Sequence, residues 1–375
     1  MAITTLSASA YGGTSYFDAL LPALMDSAAS FECTVVAKAS MFGRYCRGRR
    51  DRRISLLPVS EGLTGGGRIL WEQLYLPRLL QLLKIDVVYT AVNVGILRGG
   101  IPCVTAVRNM EPLVDPQAGV PFAKRMRCLL LRRMTLVSAR RARRVVAVSN
   151  FVRETLVQKG VDPRKIDVIY HGIDDVPVFL RRNGSNEGTG KTNPFVFAAA
   201  KFVRYANLGT LFRAFAEMRG LGYSGELRFA GGSHDREYEA EIRNLVRELQ
   251  IEDGVRFLGY IPRDEMQVQL STCDLLLFPS VLEACPFTLL EGMRQGAAIV
   301  ATMAPPMPEF CGNGAICVAP NDHRAMALAA WRIVSDRSLR ATLTDRARAR
   351  AAGFRWEKNV ADLLDVLAAA AAGVR

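Results

Sequence analysis

Residues 275–293 read Leu275-Leu276-Leu277-Phe278-Pro279-Ser280-Val281-Leu282-Glu283-Ala284-Cys285-Pro286-Phe287-Thr288-Leu289-Leu290-Glu291-Gly292-Met293. The opening apolar run reads as a buried strand, and Pro279-Ser280 closes it. A loop carrying Glu283 follows. The spacing Leu289-Leu290-x-x-Met293 then opens a helix whose first or second turn carries Glu291. Loop amides and a helix N-terminus can hold an anion, and two carboxylates can hold sugar hydroxyls. Strand, acidic loop and helix in this order form the equipment of a nucleotide-sugar site.

Outward from that stretch, a chain of 375 residues suits two domains of α/β size. Half of the residues are apolar, so burial does not limit folding. No segment reaches the ~18 uninterrupted apolar residues of a membrane span. Met1–Ser7 lacks the basic region and long apolar core of a signal peptide. The eight cysteines form no C-x-x-C pair, which fits reduced thiols in a cytoplasm. With three histidines and no Asp-x-Asp, neither a dedicated metal site nor a cofactor is expected.

The net charge of +13 is unevenly placed. Residues 1–172 hold 25 Lys/Arg against 12 Asp/Glu, whereas the remainder is balanced at 24 of each. The densest part runs from Lys124 to Arg144, and no acid occurs between Asp115 and Glu154. A nucleic-acid footprint needs a recognition motif beside it, and no helix-turn-helix, zinc-finger or RNA-recognition pattern is present. A basic helix interleaved with Leu and Met instead fits an anionic membrane surface or a lipid-diphosphate acceptor. On that reading Arg125, Arg132, Arg133, Arg140 and Arg141 are the candidate contacts, with a solvated helix face as the alternative.

The first half alternates strands with helical patterns. Strands are expected at 1–8, 33–37, 54–59, 86–90, 103–107, 145–149 and 165–170, and helices at 14–28, 67–83, 123–139 and 150–159. A polar, glycine-rich stretch at 180–193 reads as a linker. The second series places strands at 194–200, 226–230, 255–258, 275–278 and 298–301, with helices at 208–219, 238–249 and 356–372. The expected organisation is a basic N-terminal domain over 1–178, a linker over 179–193 and a second domain over 194–355. A C-terminal helix over 356–375 is expected to return to the first domain. This rhythm predicts doubly wound parallel sheets with ligand sites at the carboxyl ends of their strands.

The Phe278–Met293 stretch resembles the E-x7-E signature of retaining glycosyltransferases, specifically glycosyltransferase family 4. The resemblance runs from Gly12 to about Glu357 and is most specific from Val255 to Asn321. It implies the GT-B fold, two Rossmann-like domains facing a central cleft. The implied activity is metal-independent, retaining hexosyl transfer from a nucleotide-diphosphate sugar, a co-substrate rather than a cofactor. The implied acceptor is a glycan or a lipid-linked chain of bacterial surface polysaccharide. The place implied is cytoplasmic, peripheral at the inner face of the plasma membrane, with no nucleic-acid partner.

Residue by residue, the resemblance gives Glu283 the donor-sugar hydroxyls and the developing positive charge. Amides around Phe287, Thr288 and Leu289 hold sugar and diphosphate, and Glu291 takes the ribose hydroxyls. Gly12-Gly13, between first strand and first helix, is similar to the family's glycine turn facing the donor diphosphate. In Lys201-Phe202-Val203-Arg204-Tyr205-Ala206-Asn207, Lys201 stands where an arginine is usual, and Ala206 replaces the usual lysine. Arg204 is the candidate for the missing charge. Gly231, and Tyr260 and Ile261 after Gly259, match turns around the nucleotide. Arg108 and Asn109 stand where many members carry a sugar-contacting histidine, and resemble an x-Asn-Met-x-Pro subgroup. His171, in Val168-Ile169-Tyr170-His171-Gly172-Ile173-Asp174, reads as a structural hydrogen-bonder. Three alternatives stay open: a non-catalytic relative scaffolding polysaccharide assembly, a nucleotide-sugar epimerase, and a nucleic-acid-binding protein.

Overall fold

Runs such as Val145-Val146-Ala147 and Leu275-Leu276-Leu277-Phe278 are apolar on both faces, as strands covered from two sides must be. In the computed structural model, which describes residues 1–6, 12–115, 122–173, 194–233 and 235–373, they build two sheets whose strands all pair in parallel. The first contains β1 (Ala2–Thr4), β2 (Cys33–Lys38), β3 (Ile54–Val59), β4 (Val88–Thr90), β5 (Cys103–Val107), β6 (Arg144–Ala147) and β7 (Ile166–Val168). Its spatial order is β3-β2-β1-β4-β5-β6-β7. The second contains β8 (Phe195–Ala199), β9 (Glu226–Ala230), β10 (Val255–Gly259), β11 (Leu275–Phe278), β12 (Ile299–Thr302) and β13 (Ile316–Val318). Its order is β10-β9-β8-β11-β12-β13. Chain direction across each sheet reverses once, between β1 and β4 and between β8 and β11. Those two positions are where a doubly wound sheet leaves room for a ligand.

The chain divides into two compact units, Met1–Asp174 with Phe354–Arg375, and Asp175–Gly353. Helix Trp356–Ala372 thus belongs to the first unit, where it lies on helix Gly12–Asp26 and β5. Asn359 Nδ2 donates to the Tyr170 carbonyl at 2.6 Å, and Ile173 N donates to the Phe354 carbonyl at 3.0 Å. Gly172 permits this docking, because a Cβ there would overlap the Trp356 backbone. The core of the second unit contains an aromatic cluster: Phe229 meets Phe202 at 5.3 Å and Phe212 at 5.8 Å between ring centroids.

The helix expected over 67–83 is two, Gly65–Leu74 and Leu76–Leu82, because Pro77 supplies no backbone N–H and starts a new first turn. Helix Ala39–Tyr45, strand β13 and helices Arg263–Thr272, His323–Ser335 and Arg337–Ala351 were not anticipated. The last buries only Leu343, Ala347 and Ala351, too thin an apolar stripe to stand out among its arginines. The expected linker at 179–193 lies outside the described residues, as do residues 7–8 of the first expected strand. No helix among the described residues is long and apolar enough to cross a membrane.

Candidate active site

In the second unit, β8 and β11 are neighbours at the reversal, so the segments leaving them start side by side. The segment after β8 carries Lys201 to Asn207, and the segment after β11 carries Pro279 to Glu283. Val281 N donates to the Tyr205 carbonyl at 2.9 Å, and Asn207 Nδ2 donates to the Pro279 carbonyl at 3.2 Å. Asn207 adopts the left-handed region, φ 56°, which a short amide side chain tolerates, and opens helix Leu208–Gly220. From β12, Thr302 Oγ1 donates to the Ser280 carbonyl at 2.6 Å. Two loops and a strand are thereby locked together.

Glu283 is half-buried, and Ser280 Oγ donates to its Oε1 at 2.9 Å. Burial pushes its carboxyl up to about 7, against the opposing pull of the Ser280 hydroxyl and the Lys201 ammonium. A carboxyl held there is poised between charged and neutral near neutral pH. Glu291 follows on helix Phe287–Gln295, half-buried, with Arg263 Nη2 at 3.4 Å from its Oε1. No side chain caps that helix; Phe287 N donates to the Cys285 carbonyl at 3.1 Å, and the N–H groups of Thr288 and Leu289 complete a first turn of the kind that can hold an anion. Leu289 is buried while Phe287 and Thr288 are half-buried. Gly292 lets the helix press on β11, where a Cβ would meet Leu276 Cδ2 at 2.6 Å.

The two glycine turns lie beside this group. Gly231 N donates to the Gly259 carbonyl at 2.8 Å, tying the end of β9 to that of β10. Gly259 has φ 68°, and after it Tyr260 is 71% exposed while Ile261 is buried. Arg204 is placed differently from Lys201. Its guanidinium pairs with Glu241 at 3.2 Å and lies 5.1 Å from the Tyr238 ring centroid. Ala206 is buried. Position 206, where the resemblance expects a lysine, therefore carries no cation, and Arg204, the candidate substitute, is engaged by an acid.

In the first unit, Gly12 and Gly13 open helix Gly12–Asp26 after β1. Arg108, leaving β5, lies 3.7 Å from the Tyr16 ring centroid and donates from Nε to His171 Nε2 at 3.2 Å and from Nη1 to the Ala91 carbonyl at 3.2 Å. The buried His171, tilted on Tyr16 and stacked on Trp356, is held well below the usual histidine range by burial and by the Arg108 charge. It is a packed acceptor. Asn109 Oδ1 accepts from Glu111 N at 2.9 Å, the geometry of a turn cap. Asn93, absent from the sequence-based candidates, braces the pair: its Oδ1 accepts from Arg108 N and Asn109 N, each at 3.0 Å.

Among the basic candidates on helix Phe122–Arg141, Arg125, Arg133 and Arg141 are exposed. Arg132 instead donates to the Pro112 and Val114 carbonyls at 2.7 and 2.5 Å and pairs with Asp115. Arg140 donates to the Lys159 carbonyl at 2.6 Å, closing helix Asn150–Gln158. These two arginines brace the fold. A basic stretch in sequence does not reveal which guanidinium groups will find carbonyls.

Residues 12–176 match the family described as Glycosyltransferase Family 4, and residues 182–350 match Glycosyl transferases group 1. The chain carries a glycosyltransferase family 4 domain followed by a glycosyl transferases group 1 domain. Its two parallel-sheet units have the GT-B architecture, seen also in Anabaena Alr3699/HepE solved with UDP-glucose (TM-score 0.73, 17% identity, 98% of this chain and 99% of that one). The structure of WaaG, a glycosyltransferase involved in lipopolysaccharide biosynthesis, is similarly alike (TM-score 0.71, 15% identity, 98% and 99% coverage). Among curated relatives, the O-antigen chain mannosyltransferase RfbU of Salmonella typhimurium is 24% identical over 58% of this chain and 57% of its own length. The O-antigen chain mannosyltransferase B of Escherichia coli is 29% identical over 30% of each chain. The chain thus spans about half the length, or less, of these curated relatives.

Proposed function

We propose that this family 4 protein transfers a sugar, with retention of configuration, from a nucleotide-diphosphate sugar to a glycan or lipid-linked acceptor in bacterial surface polysaccharide synthesis. The observation that carries the reading is the half-buried Glu283 beside Lys201, at the reversal of a parallel sheet and ahead of an uncapped helix. Glu283 binds donor-sugar hydroxyls, and its negative form steadies the positive charge that grows at the anomeric carbon. That carbon loses its bond to the diphosphate as the acceptor hydroxyl attacks from the same face, and the departing diphosphate takes the hydroxyl proton. Lys201 and the first-turn amides of helix Phe287–Gln295 stabilise the leaving charge. Glu291 receives the ribose hydroxyls, and Tyr260 and Ile261 flank the base. The relatives named for O-antigen synthesis and the UDP-glucose held by HepE support the polysaccharide and nucleotide-sugar parts.

The test is thermal stabilisation by UDP-, GDP-, dTDP- and ADP-sugars without added metal. Stabilisation of ~2.7 kcal/mol accompanies a ligand at a hundred times its Kd, so one series should raise Tm by several degrees. No rise with any series overturns the reading. It would favour a non-catalytic scaffold, to which the buried Ala206 and the Arg204–Glu241 pair already lean.

The proposal includes contact with an anionic membrane. Phe122, Met126, Leu129 and Leu130 are 78, 49, 46 and 60% exposed and recur at three- and four-residue intervals, with Arg125 and Arg133 beside them. The β3→β4 and β5→β6 connections cross the sheet in one direction, so right-handed crossovers put helices Gly65–Leu74, Leu76–Leu82 and Phe122–Arg141 on the same face. Exposed Leu70, Leu74 and Leu82 enlarge its apolar area. Reversing Arg125 and Arg133 to glutamate should release the protein from vesicles containing anionic lipid, each cation contributing about 1 kcal/mol. Unchanged sedimentation with vesicles would sink the membrane part alone.

A further inference from the structure

We propose that Ser280 is a positioning residue for Glu283: its hydroxyl aims the carboxylate and couples it to the loop that carries Lys201. This rests on Glu283 being the residue that meets the donor sugar. The argument begins from proton counting. A serine hydroxyl has a single proton, and three acceptors surround this one: Glu283 Oε1 at 2.9 Å, the Tyr205 carbonyl at 3.3 Å and the Leu282 carbonyl at 3.4 Å. An ionised carboxylate is the strongest of the three, so the proton goes to Glu283 whenever that group is charged. Once Glu283 is protonated it can donate its own O–H to Ser280 Oγ. The serine proton then turns to the Tyr205 carbonyl, four residues after Lys201.

Tyr205 O is no bystander. It already accepts from Val281 N, while Asn207 in the same loop donates back to Pro279. Ser280 itself is 4% exposed and cannot drift, because Thr302 Oγ1 holds its carbonyl from β12. The Ser280 hydroxyl therefore sits between the Glu283 carboxylate and the backbone of the segment that carries Lys201, and the charge on Glu283 decides which of the two it serves. Among the described residues the charge acting on Glu283 is Lys201, which comes from the segment after β8. Arg204 on that segment is turned to Glu241, and Glu291 on the following helix faces Arg263. With Ser280 gone, Lys201 alone opposes the burial that favours a neutral acid.

The experiment is a carboxyl 13C NMR titration of Glu283 in the full, ligand-free chain, compared with Ser280→Ala and Ser280→Thr. The alanine variant should move the midpoint upward from about 7, and the threonine variant, which keeps the hydroxyl, should restore it. With the donor series found in the thermal screen, the pH at which turnover reaches half its maximum should rise in parallel, with KM less affected than the maximal rate. Thr302→Val, which frees the serine carbonyl without touching Glu283, should move the midpoint the same way by less. A Ser280→Ala titration that superimposes on the parent overturns the proposal. If the titration responds as described but no donor binds or turns over, the positioning geometry stands and the transferase reading is what fails.

Discussion

Replacing Glu283 by glutamine is expected to lower turnover by about 100-fold or more while leaving nucleotide affinity nearly unchanged, and to raise Tm at pH 8. The first half follows from role. Glutamine keeps hydrogen bonds to sugar hydroxyls but cannot supply the negative charge opposite the anomeric carbon, a contribution of the order of 3 kcal/mol in a dry site. The second half follows from linkage. The folded-state carboxyl titrates at about 7, above its ordinary 4.5, so the folded chain binds this proton more tightly than the unfolded chain does. Stability from that preference is fully present below the ordinary value and is lost as pH rises through the folded one. At pH 8 Glu283 is a charge held where burial disfavours it, and the neutral amide removes that cost. Linkage alone corresponds to ~3 kcal/mol, and solvent screening at a half-buried site reduces it to the order of 1–2 kcal/mol. At pH 4.5 the gain should shrink strongly. Tm measured for both proteins at the two pH values, with turnover alongside, tests both halves. Equal losses of turnover and nucleotide affinity would count against the assigned role. A Tm gain that does not depend on pH would mean that glutamine packs better and the charge is irrelevant.

That tension between stability and chemistry also explains how much of the site the sequence disclosed. Glu283 and Glu291 were legible as candidates because a strand-loop-helix frame fixes their spacing, and that frame is the one the structure builds after β11. The doubly wound architecture was legible because fully apolar strands alternating with helical patterns admit few other arrangements, whereas the strand order came from the structure. Ser280, Asn207 and Thr302 were not, since a serine after Pro279 reads as a turn residue, and only the fold brings Thr302 to its carbonyl. Asn93 was hidden for the same reason, its partners lying 15 and 16 residues away on another strand's exit. Arg204 shows the converse. Sequence offered it as a replacement cation, but Tyr238 and Glu241 on helix Arg236–Glu248 turn it aside. Arg132 and Arg140 were likewise drawn to carbonyls that no linear pattern announces.

The other large effect expected is on the glycine turns. Gly231→Ala should destabilise the second unit by about 3 kcal/mol and weaken nucleotide binding at least tenfold. A Cβ at Gly231 would lie inside the van der Waals shell of the Ala200 carbonyl oxygen. Neither side can yield cheaply. Ala200 N is bonded to the Ala230 carbonyl at 3.0 Å and Gly231 N to the Gly259 carbonyl at 2.8 Å, so relief means breaking contacts that hold β8, β9 and β10 in register. The loop that carries Lys201 would move with Ala200. Gly259 provides the contrast, because a Cβ there meets nothing within 4 Å and the obstacle is its φ of 68° alone. An alanine in that conformation costs roughly 1–2 kcal/mol. Chemical denaturation of the two variants, with nucleotide titrations, should therefore rank Gly231→Ala as the more damaging in both measurements. The reverse order would mean that β8 and β9 can part at their carboxyl ends, and that left-handed backbone at Gly259, rather than close approach at Gly231, is what shapes the floor of the site.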